Sequence, residues 1–132
     1  MKFKLPLLLL LLAVLCYACE DDKDNVIDKL PGNWFCEESS SQYGAASYTV
    51  EISRSTINDN EIIIDNFYHL GSGNKVSAIV EHSDLEIPEQ TVMGFTFSGR
   101  GTVSDEGSKI SISYTADDNG GVDNVSAVFT RH

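Results

Sequence analysis

Basic residues are scarce in this sequence, which has 9 lysines and arginines against 20 aspartates and glutamates and a net charge of −11. Two of the nine, Lys2 and Lys4, lie at the very start, so the rest of the chain is more acidic still. Binding to a nucleic acid depends on neutralising its phosphates with lysine and arginine. The composition therefore excludes nucleic acid as a partner and disfavours direct binding to an anionic membrane surface.

Cysteine is equally scarce, and only Cys36 lies beyond the first 19 residues. The domain therefore cannot form an internal disulfide, and it has no cysteine pair at metal-ligand spacing. Cys36 follows Trp34 and Phe35 in a short apolar patch, where a free cysteine packs like a small hydrophobic residue. We expect a buried, unreactive thiol and no bound metal or cofactor.

Catalytic motifs are also missing, since there is no nucleophile elbow and no glycine loop typical of an oxyanion hole. Asp65 with His69, and Ser83 with His82 and Asp84, are only fragments of a triad. Each histidine ends a predicted strand, and consecutive antiparallel strands end at opposite edges of a sheet. We expect the two histidines to lie apart and the protein not to be an enzyme.

The longest hydrophobic run, residues 5–15, is too short to cross a membrane. At about 1.5 Å per residue, a helix of this length reaches about 16 Å, against a hydrocarbon core of about 30 Å. A basic start, a short apolar run and small residues before a cleavage site are typical of a secretory signal peptide. We predict such a peptide for residues 1–18.

Cys19 follows this segment and is preceded by Ala18, the small residue that a lipoprotein signal peptidase requires. The stretch LCYAC resembles a bacterial lipobox, which implies that Cys19 becomes the first mature residue and carries a lipid. The acidic run at residues 20–24 resembles the export tag of Bacteroidota-type lipoproteins, which implies an outer-membrane protein that faces the cell exterior. A plain solvated tether, inner-leaflet display and an ordinary secreted protein are the alternatives.

Beyond a tether at residues 19–29, the chain predicts one folded domain at residues 30–132. Tyr48, Val50 and Ile52 alternate with polar neighbours, as in a half-buried strand. The run EIIIDNFYH at residues 61–69 is rich in β-branched and aromatic residues and predicts a longer extended segment. Similar patterns mark residues 76–80, 95–103, 110–115 and 125–129.

Clusters of Asn, Asp and Gly separate these runs and suit the positive φ angles of hairpin turns. No segment has a convincing helical period. Seven to nine strands joined by short turns predict an all-β fold, as a small antiparallel up-and-down barrel or a closely related sandwich.

The stretch LPGNWFCEE, with Gly32 and Trp34, resembles the start of lipocalin-like and calycin-like domains, in which a Gly-x-Trp closes one end of an up-and-down barrel. NEIIIDNFYHLG, LEIPEQTV, FSGRGTVS and KISISYTADDN resemble small lipocalin-like lipoproteins of Bacteroidota-type bacteria. This resemblance covers residues 30–132 and implies a lipocalin-like barrel with a small apolar or amphipathic ligand inside. The alternative is a barrel filled by its own Phe, Ile and Val side chains.

Three aromatic residues are the candidate ligand contacts. Tyr43 lies in the polar stretch SSSQYGAAS and is expected to be exposed, while Phe95 and Phe97 share a strand face with Gly99 and Gly101. The glycines mark a sharp bend or a close approach, or else they leave room for a ligand. Aromatic rings bury apolar area, and they also stack on sugar rings, so a glycan is a second ligand class.

Oxygen donors that suit calcium crowd residues 117–124, namely Asp117, Asp118, Asn119, Asp123 and Asn124. The segment lacks the spacing and the closing glutamate of an EF-hand, so we predict a hairpin turn with solvated acids and assign no metal site.

The sequence thus predicts a lipid-anchored cell-surface lipoprotein whose barrel is a non-enzymatic binding module for a small apolar ligand or a glycan. The alternative is a structural or accessory subunit of an outer-membrane surface complex, which contacts a surface protein partner and no small molecule. A cavity lined by Phe95, Phe97 and the glycines favours the first hypothesis, and a solid core with an exposed apolar patch favours the second.

Overall fold

The computed structural model describes residues 25–131, and the predicted signal peptide and Cys19 lie outside this range. The strands are β1 Gly32–Ser40, β2 Gly44–Arg54, β3 Glu61–Asp65, β4 Lys75–Glu81, β5 Asp84–Val92, β6 Phe95–Val103, β7 Lys109–Asp117 and β8 Val122–Arg131. Two short 3-10 helices lie at Val26–Lys29 and Phe67–His69. None of the helices within residues 25–131 has the length and hydropathy needed to span a membrane.

The eight strands form one closed antiparallel barrel in sequence order. It closes because β1 pairs with β2 on one side and with β8 on the other, so that Trp34 lies between Val50 and Arg131. The prediction of an all-β up-and-down barrel is confirmed, and the sandwich alternative is excluded. Closure also leaves the sheet with no free first or last strand.

Connections between strands lie alternately at the two ends of the barrel. The Trp34 end carries residues 55–60, 82–83 and 104–108. The Tyr43 end carries residues 41–43, 66–74, 93–94 and 118–121. His69 lies at the Tyr43 end and His82 at the Trp34 end, so the two histidines lie apart, as predicted.

The barrel interior is filled by the chain's own side chains. The predicted inward residues of β2, Tyr48, Val50 and Ile52, are all buried. Four large aromatic side chains are at most 1% exposed: Trp34, Phe67, Phe97 and Phe129. Burial of apolar area at about 25 cal/mol per Å² is the main force that holds such a core together. The structure therefore matches the alternative of a filled barrel.

The Trp34 end is closed by the segment before β1. Ile27 and Leu30 are buried, and Leu30 accepts a 2.8 Å hydrogen bond from the indole Nε1 of Trp34. Over the face of the indole ring, the guanidinium of Arg131 lies 4.3 Å from the ring centroid, at cation–π distance. Because Ile27 belongs to the core, the folded part of the chain begins before the predicted boundary at residue 30.

The extended segment predicted over residues 61–69 is interrupted: β3 ends at Asp65. Asn66 takes a left-handed conformation with φ 66°, which asparagine tolerates because its side chain can satisfy nearby backbone groups. Here the Asn66 amide donates to Thr49 O and accepts from Gly71 N. The chain then folds inward as the helix Phe67–His69, which we call the plug helix.

The sheet is least tightly paired at the Tyr43 end. β2 pairs with β3 only from Glu51 onward, and β4 pairs with β5 only through Ile79–Glu81. Beyond that point the side chain of Gln90 bridges the gap, accepting from Ser77 N at 2.8 Å and donating to Ser77 O at 2.9 Å. The plug helix fills the space that the short β3 leaves.

Candidate ligand-binding site

Exposed apolar side chains gather at the Tyr43 end. Tyr43 is 71% exposed, Met93 65% and Val122 49%, and all three lie at turns or strand starts of this end. Phe95 and Tyr68 lie at the same end and are partly buried, with ring centroids 5.3 Å apart. We call these five residues the rim.

A buried carboxylate, Glu38, lies below the rim on the inner face of β1. It is 8% exposed, and its Oε1 accepts hydrogen bonds from the hydroxyls of Tyr48 at 2.6 Å and Tyr114 at 3.0 Å. Burial raises the pKa of both tyrosines far above the usual range, and the negative charge of Glu38 adds to the effect. Both hydroxyls therefore stay protonated and act as donors to Glu38.

A second buried carboxylate, Asp123 at the start of β8, is 2% exposed. One oxygen, Oδ2, accepts from the hydroxyls of Ser40 and Tyr68, both at 2.5 Å. The other, Oδ1, accepts from the Ser41 hydroxyl at 3.0 Å and the Gln42 backbone N–H at 3.1 Å. Burial would raise the pKa of Asp123, but these four donors outweigh it, and the pKa is lowered.

The plug helix lies between the rim and the buried acids Glu38 and Asp123 with their hydroxyl donors, which we call the floor of the site. Phe67 is 1% exposed and packs edge-on against Phe97, with centroids 5.3 Å apart. Tyr68 contacts Phe95 through its ring and Asp123 through its hydroxyl, and burial together with that hydrogen bond raises the pKa of Tyr68. His69 stacks on Tyr48, with centroids 4.9 Å apart.

The backbone of the plug helix is unusual. Tyr68 and His69 have φ angles of 57° and 59°, and Asn66 before them has 66°. Left-handed backbone at residues other than glycine costs about 1 kcal/mol or more each and persists only when surrounding contacts hold it. Here the hydrogen bond to Asp123 and the packing of Phe67 hold it, so the plug helix is a strained element of this end.

The three predicted contact residues reach the same end of the barrel. Tyr43 stands exposed, as predicted, while Phe95 is half-buried in the rim. Phe97 is fully buried below Phe95, at a centroid distance of 6.1 Å, and so forms part of the core. Gly99 lies against the backbone of Tyr114 and Ser113, so the close-approach interpretation of the glycines is confirmed.

Other residues considered from the sequence lie elsewhere or serve local structure. Asp117 and Asp118 accept backbone N–H groups of their own turn, while Asp123 turns inward, so the acids of this segment diverge. Within residues 25–131 no cluster of histidine, cysteine or acid side chains is arranged as a metal site. Cys36 is fully buried, and burial raises the pKa of its thiol to about 12.

The sequence interpretation missed Glu38 and placed Asp123 in a solvated turn. A signal for Glu38 was present, because it follows Trp34 and Cys36 at two-residue spacing and so shares their inward face. No comparable signal marks the plug helix, whose inward turn depends on contacts with distant strands.

Comparisons with known proteins place the fold but not a family. No protein-family model matches the chain, and no curated protein matches it. Among solved structures, EF1p2_mFAP2b bound to DFHBI is similar, with a TM-score of 0.56, 14% identity, and coverage of 82% of this chain and 98% of the other. The redesigned beta barrel b11L5F_LGL is similar with a TM-score of 0.56, 13% identity, and coverage of 82% and 96%. The chain thus shares the small β-barrel fold that the lipocalin-like resemblance implies.

Proposed function

We propose that this protein is a lipid-anchored cell-surface binding module that holds a small apolar ligand at the Tyr43 end of its barrel. The observation that carries the proposal is the rim, whose five largely apolar side chains lie at the same end of the barrel as a buried group of tyrosine hydroxyls and carboxylates. Ligand sites in proteins are mostly apolar, with a few well-placed polar groups that orient the ligand. The Tyr43 end has both features.

The state of the interior decides where such a ligand binds. Phe97 is fully buried and Gly99 is covered by β7, so Phe95, Phe97 and the glycines do not enclose a central cavity. A ligand would instead contact the rim, which includes Tyr68 of the plug helix. The similar barrel EF1p2_mFAP2b is bound to DFHBI, which supports ligand binding by a barrel of this architecture.

We infer that the protein binds its ligand without chemical change. Glu38 and Asp123 are the buried acids of the site, and each is engaged by hydroxyl donors that stay protonated. This arrangement suits recognition better than proton transfer. A glycan stacked on Tyr43 and Phe95 is the second ligand class.

Binding to the rim is testable with Nile red, a neutral apolar fluorophore, titrated into residues 20–132. We expect its fluorescence to rise, and the paired changes Tyr43→Ser and Phe95→Ala to weaken its affinity about tenfold, because they remove aromatic contact area. Ile57→Ser is the matched control, since Ile57 is 85% exposed at the opposite end. Equal loss in the control, or no loss in the paired variant, would contradict the proposal.

The second candidate function, an accessory subunit of a surface complex, draws on the same rim. A filled core with exposed Tyr43, Met93 and Val122 is the combination that favours contact with a surface protein partner, whereas the buried hydroxyls and carboxylates below the rim favour a small ligand. Native mass spectrometry of the domain purified from its host distinguishes the two functions. A retained small mass supports the binding module, whereas an unliganded mass that no host extract shifts supports the accessory subunit.

Lipid anchoring at Cys19 and display on the outer membrane remain part of the proposal. Cys19→Ala is expected to abolish incorporation of labelled palmitate and to release the protein from membranes, because several acyl chains at that cysteine supply the anchor. Cys16→Ala is the control and should keep both the label and the membrane association. Palmitate labelling that survives in Cys19→Ala would show that the lipid is elsewhere.

A further inference from the structure

The buried acids of the Tyr43 end have no cationic partner among residues 25–131. Arg54 pairs with Asp28, and Arg131 covers Trp34, both at the opposite end. Lys29 and Lys109 also lie at that end, and the remaining two, Lys75 and Arg100, are exposed on the outer surface of the barrel. A carboxylate held away from water is favourable only when a counter-charge or several donors compensate it.

Within the described chain, both oxygens of Asp123 accept hydrogen bonds, but only one oxygen of Glu38 does. Its Oε1 accepts both tyrosine hydroxyls, whereas no side chain or backbone N–H of residues 25–131 donates to its Oε2. Within residues 25–131, the only side-chain polar atom that is both sealed from solvent and without a hydrogen-bond partner is Nε of Arg54. Oε2 of Glu38 has no partner there either, so it is not sealed and borders space that water can enter. Glu38 is nonetheless more than nine-tenths buried.

Aromatic side chains lie around the Glu38 carboxylate. The hydroxyls of Tyr48 and Tyr114 both bind it, and the ring of Tyr114 lies 6.1 Å from that of Tyr68, which in turn lies 5.3 Å from that of Phe95, centroid to centroid. His69 covers the face of Tyr48 and makes no hydrogen bond to Glu38. A cation near such rings gains cation–π attraction in addition to the attraction of the carboxylate, and both are stronger away from bulk water.

We propose that the ligand of the Tyr43 end is an organic cation, an ammonium group on an apolar or aromatic body, with Glu38 as the group that selects the charge. The ammonium group takes the free side of the Glu38 carboxylate, and the apolar body lies against the rim. This inference rests on the proposed function, because it names the ligand class for the same rim. The buried negative charge also disfavours anionic ligands at this end.

A matched trio of ligands tests the selection by charge: 2-phenylethylamine as the cation, 2-phenylethanol as its neutral analogue and phenylacetate as the anion. Each is titrated into residues 20–132 at neutral pH by calorimetry or by NMR. We expect the amine to bind at least about tenfold more tightly than the alcohol and the acid not to bind measurably. In Glu38→Gln the preference for the amine over the alcohol should fall to about twofold or less.

Glu37→Gln is the control variant, because Glu37 is the outward neighbour of Glu38 on the same strand and its loss changes the net charge equally. It should keep the preference for the amine. Glutamine at position 38 still offers a carbonyl oxygen to Tyr48 and Tyr114, so the fold is expected to survive. If Glu38→Gln does not fold, the wild-type preference between amine and alcohol decides alone.

The outcomes separate the two proposals. Equal binding of amine and alcohol by the wild-type protein, or equal effects of Glu37→Gln and Glu38→Gln, overturns the selection of a cation and leaves the apolar binding site standing. Failure of the amine, the alcohol and Nile red to bind overturns the proposed function and this inference together.

Discussion

Gly99→Ala is expected to lower the free energy of unfolding by about 3 kcal/mol, at the upper end of the range for overpacking a well-packed core. A Cβ atom at this position would lie 2.5 Å from the carbonyl oxygen of Ser113 and 2.6 Å from Cα of Tyr114. Both are backbone atoms of β7 and cannot rotate away as a flexible side chain would. Relief therefore requires β6 and β7 to move apart, with loss of ladder hydrogen bonds and of packing around Tyr114.

Urea denaturation of the variant, followed by circular dichroism, measures this loss. Gly120→Ala is the matched control: the same methyl group is added at a turn, where its nearest neighbour is the Asp118 carboxylate at 3.4 Å. We expect the control to change stability by less than about 0.5 kcal/mol. A similarly small effect of Gly99→Ala would mean that the barrel wall between β6 and β7 yields easily at this point.

Asp123→Asn is expected to lower the free energy of unfolding by about 2–3 kcal/mol at pH 7. Hydrogen bonds to a charged acceptor contribute about 1.5–3 kcal/mol each, and asparagine keeps only one of the two accepting oxygens. The amide nitrogen of asparagine is a donor, so it would face a group that now donates to Asp123, either the hydroxyl of Tyr68 or the backbone N–H of Gln42. Two donors that face each other cannot form a hydrogen bond. The plug helix, which Tyr68 ties to Asp123, should loosen first.

The stability difference between wild type and Asp123→Asn is expected to depend on pH. The pKa of Asp123 is lowered in the folded protein, so its stabilising effect is present above the unfolded pKa of about 4 and is lost as pH falls through the lower folded value. The stability difference between wild type and Asp123→Asn should therefore be largest near neutral pH and shrink below about pH 4. Asp84→Asn, at an exposed position of β5, is the control and should show no such difference.

A gap between wild type and Asp123→Asn that stays constant down to pH 2, or grows there, would contradict the lowered pKa. It would indicate that shape rather than charge matters at position 123. The same titration, repeated with hydrogen exchange of residues 66–74, would show whether the plug helix opens before the barrel unfolds.

The sequence by itself determined the fold class of this protein. Two-residue alternation, as at Tyr48, Val50 and Ile52, specifies which face of a strand is buried, because successive side chains point to opposite faces. Short Asn, Asp and Gly turns can join only neighbouring antiparallel strands, so they predict an antiparallel meander. The burial of Cys36 and the exposure of Tyr43 followed from the same local patterns.

The floor of the candidate site depends on contacts that local patterns do not encode. Asp123 meets Ser40 across 83 residues and Tyr68 across 55, so its surroundings exist only once the barrel has closed. In the sequence alone, the residues around Asp123 resemble an exposed turn.

Tertiary structure also decided the path of residues 66–69. Their composition favours a strand, yet the short β3 leaves a gap that Phe67 fills, and core burial outweighs local propensity. Local alternation thus fixed which residues face inward, while closure of the barrel decided which of them meet. The closed barrel thus placed two acids, three tyrosine hydroxyls and an apolar rim at one end of the molecule, because only closure brings β1, β2, β6, β7, β8 and the plug helix together.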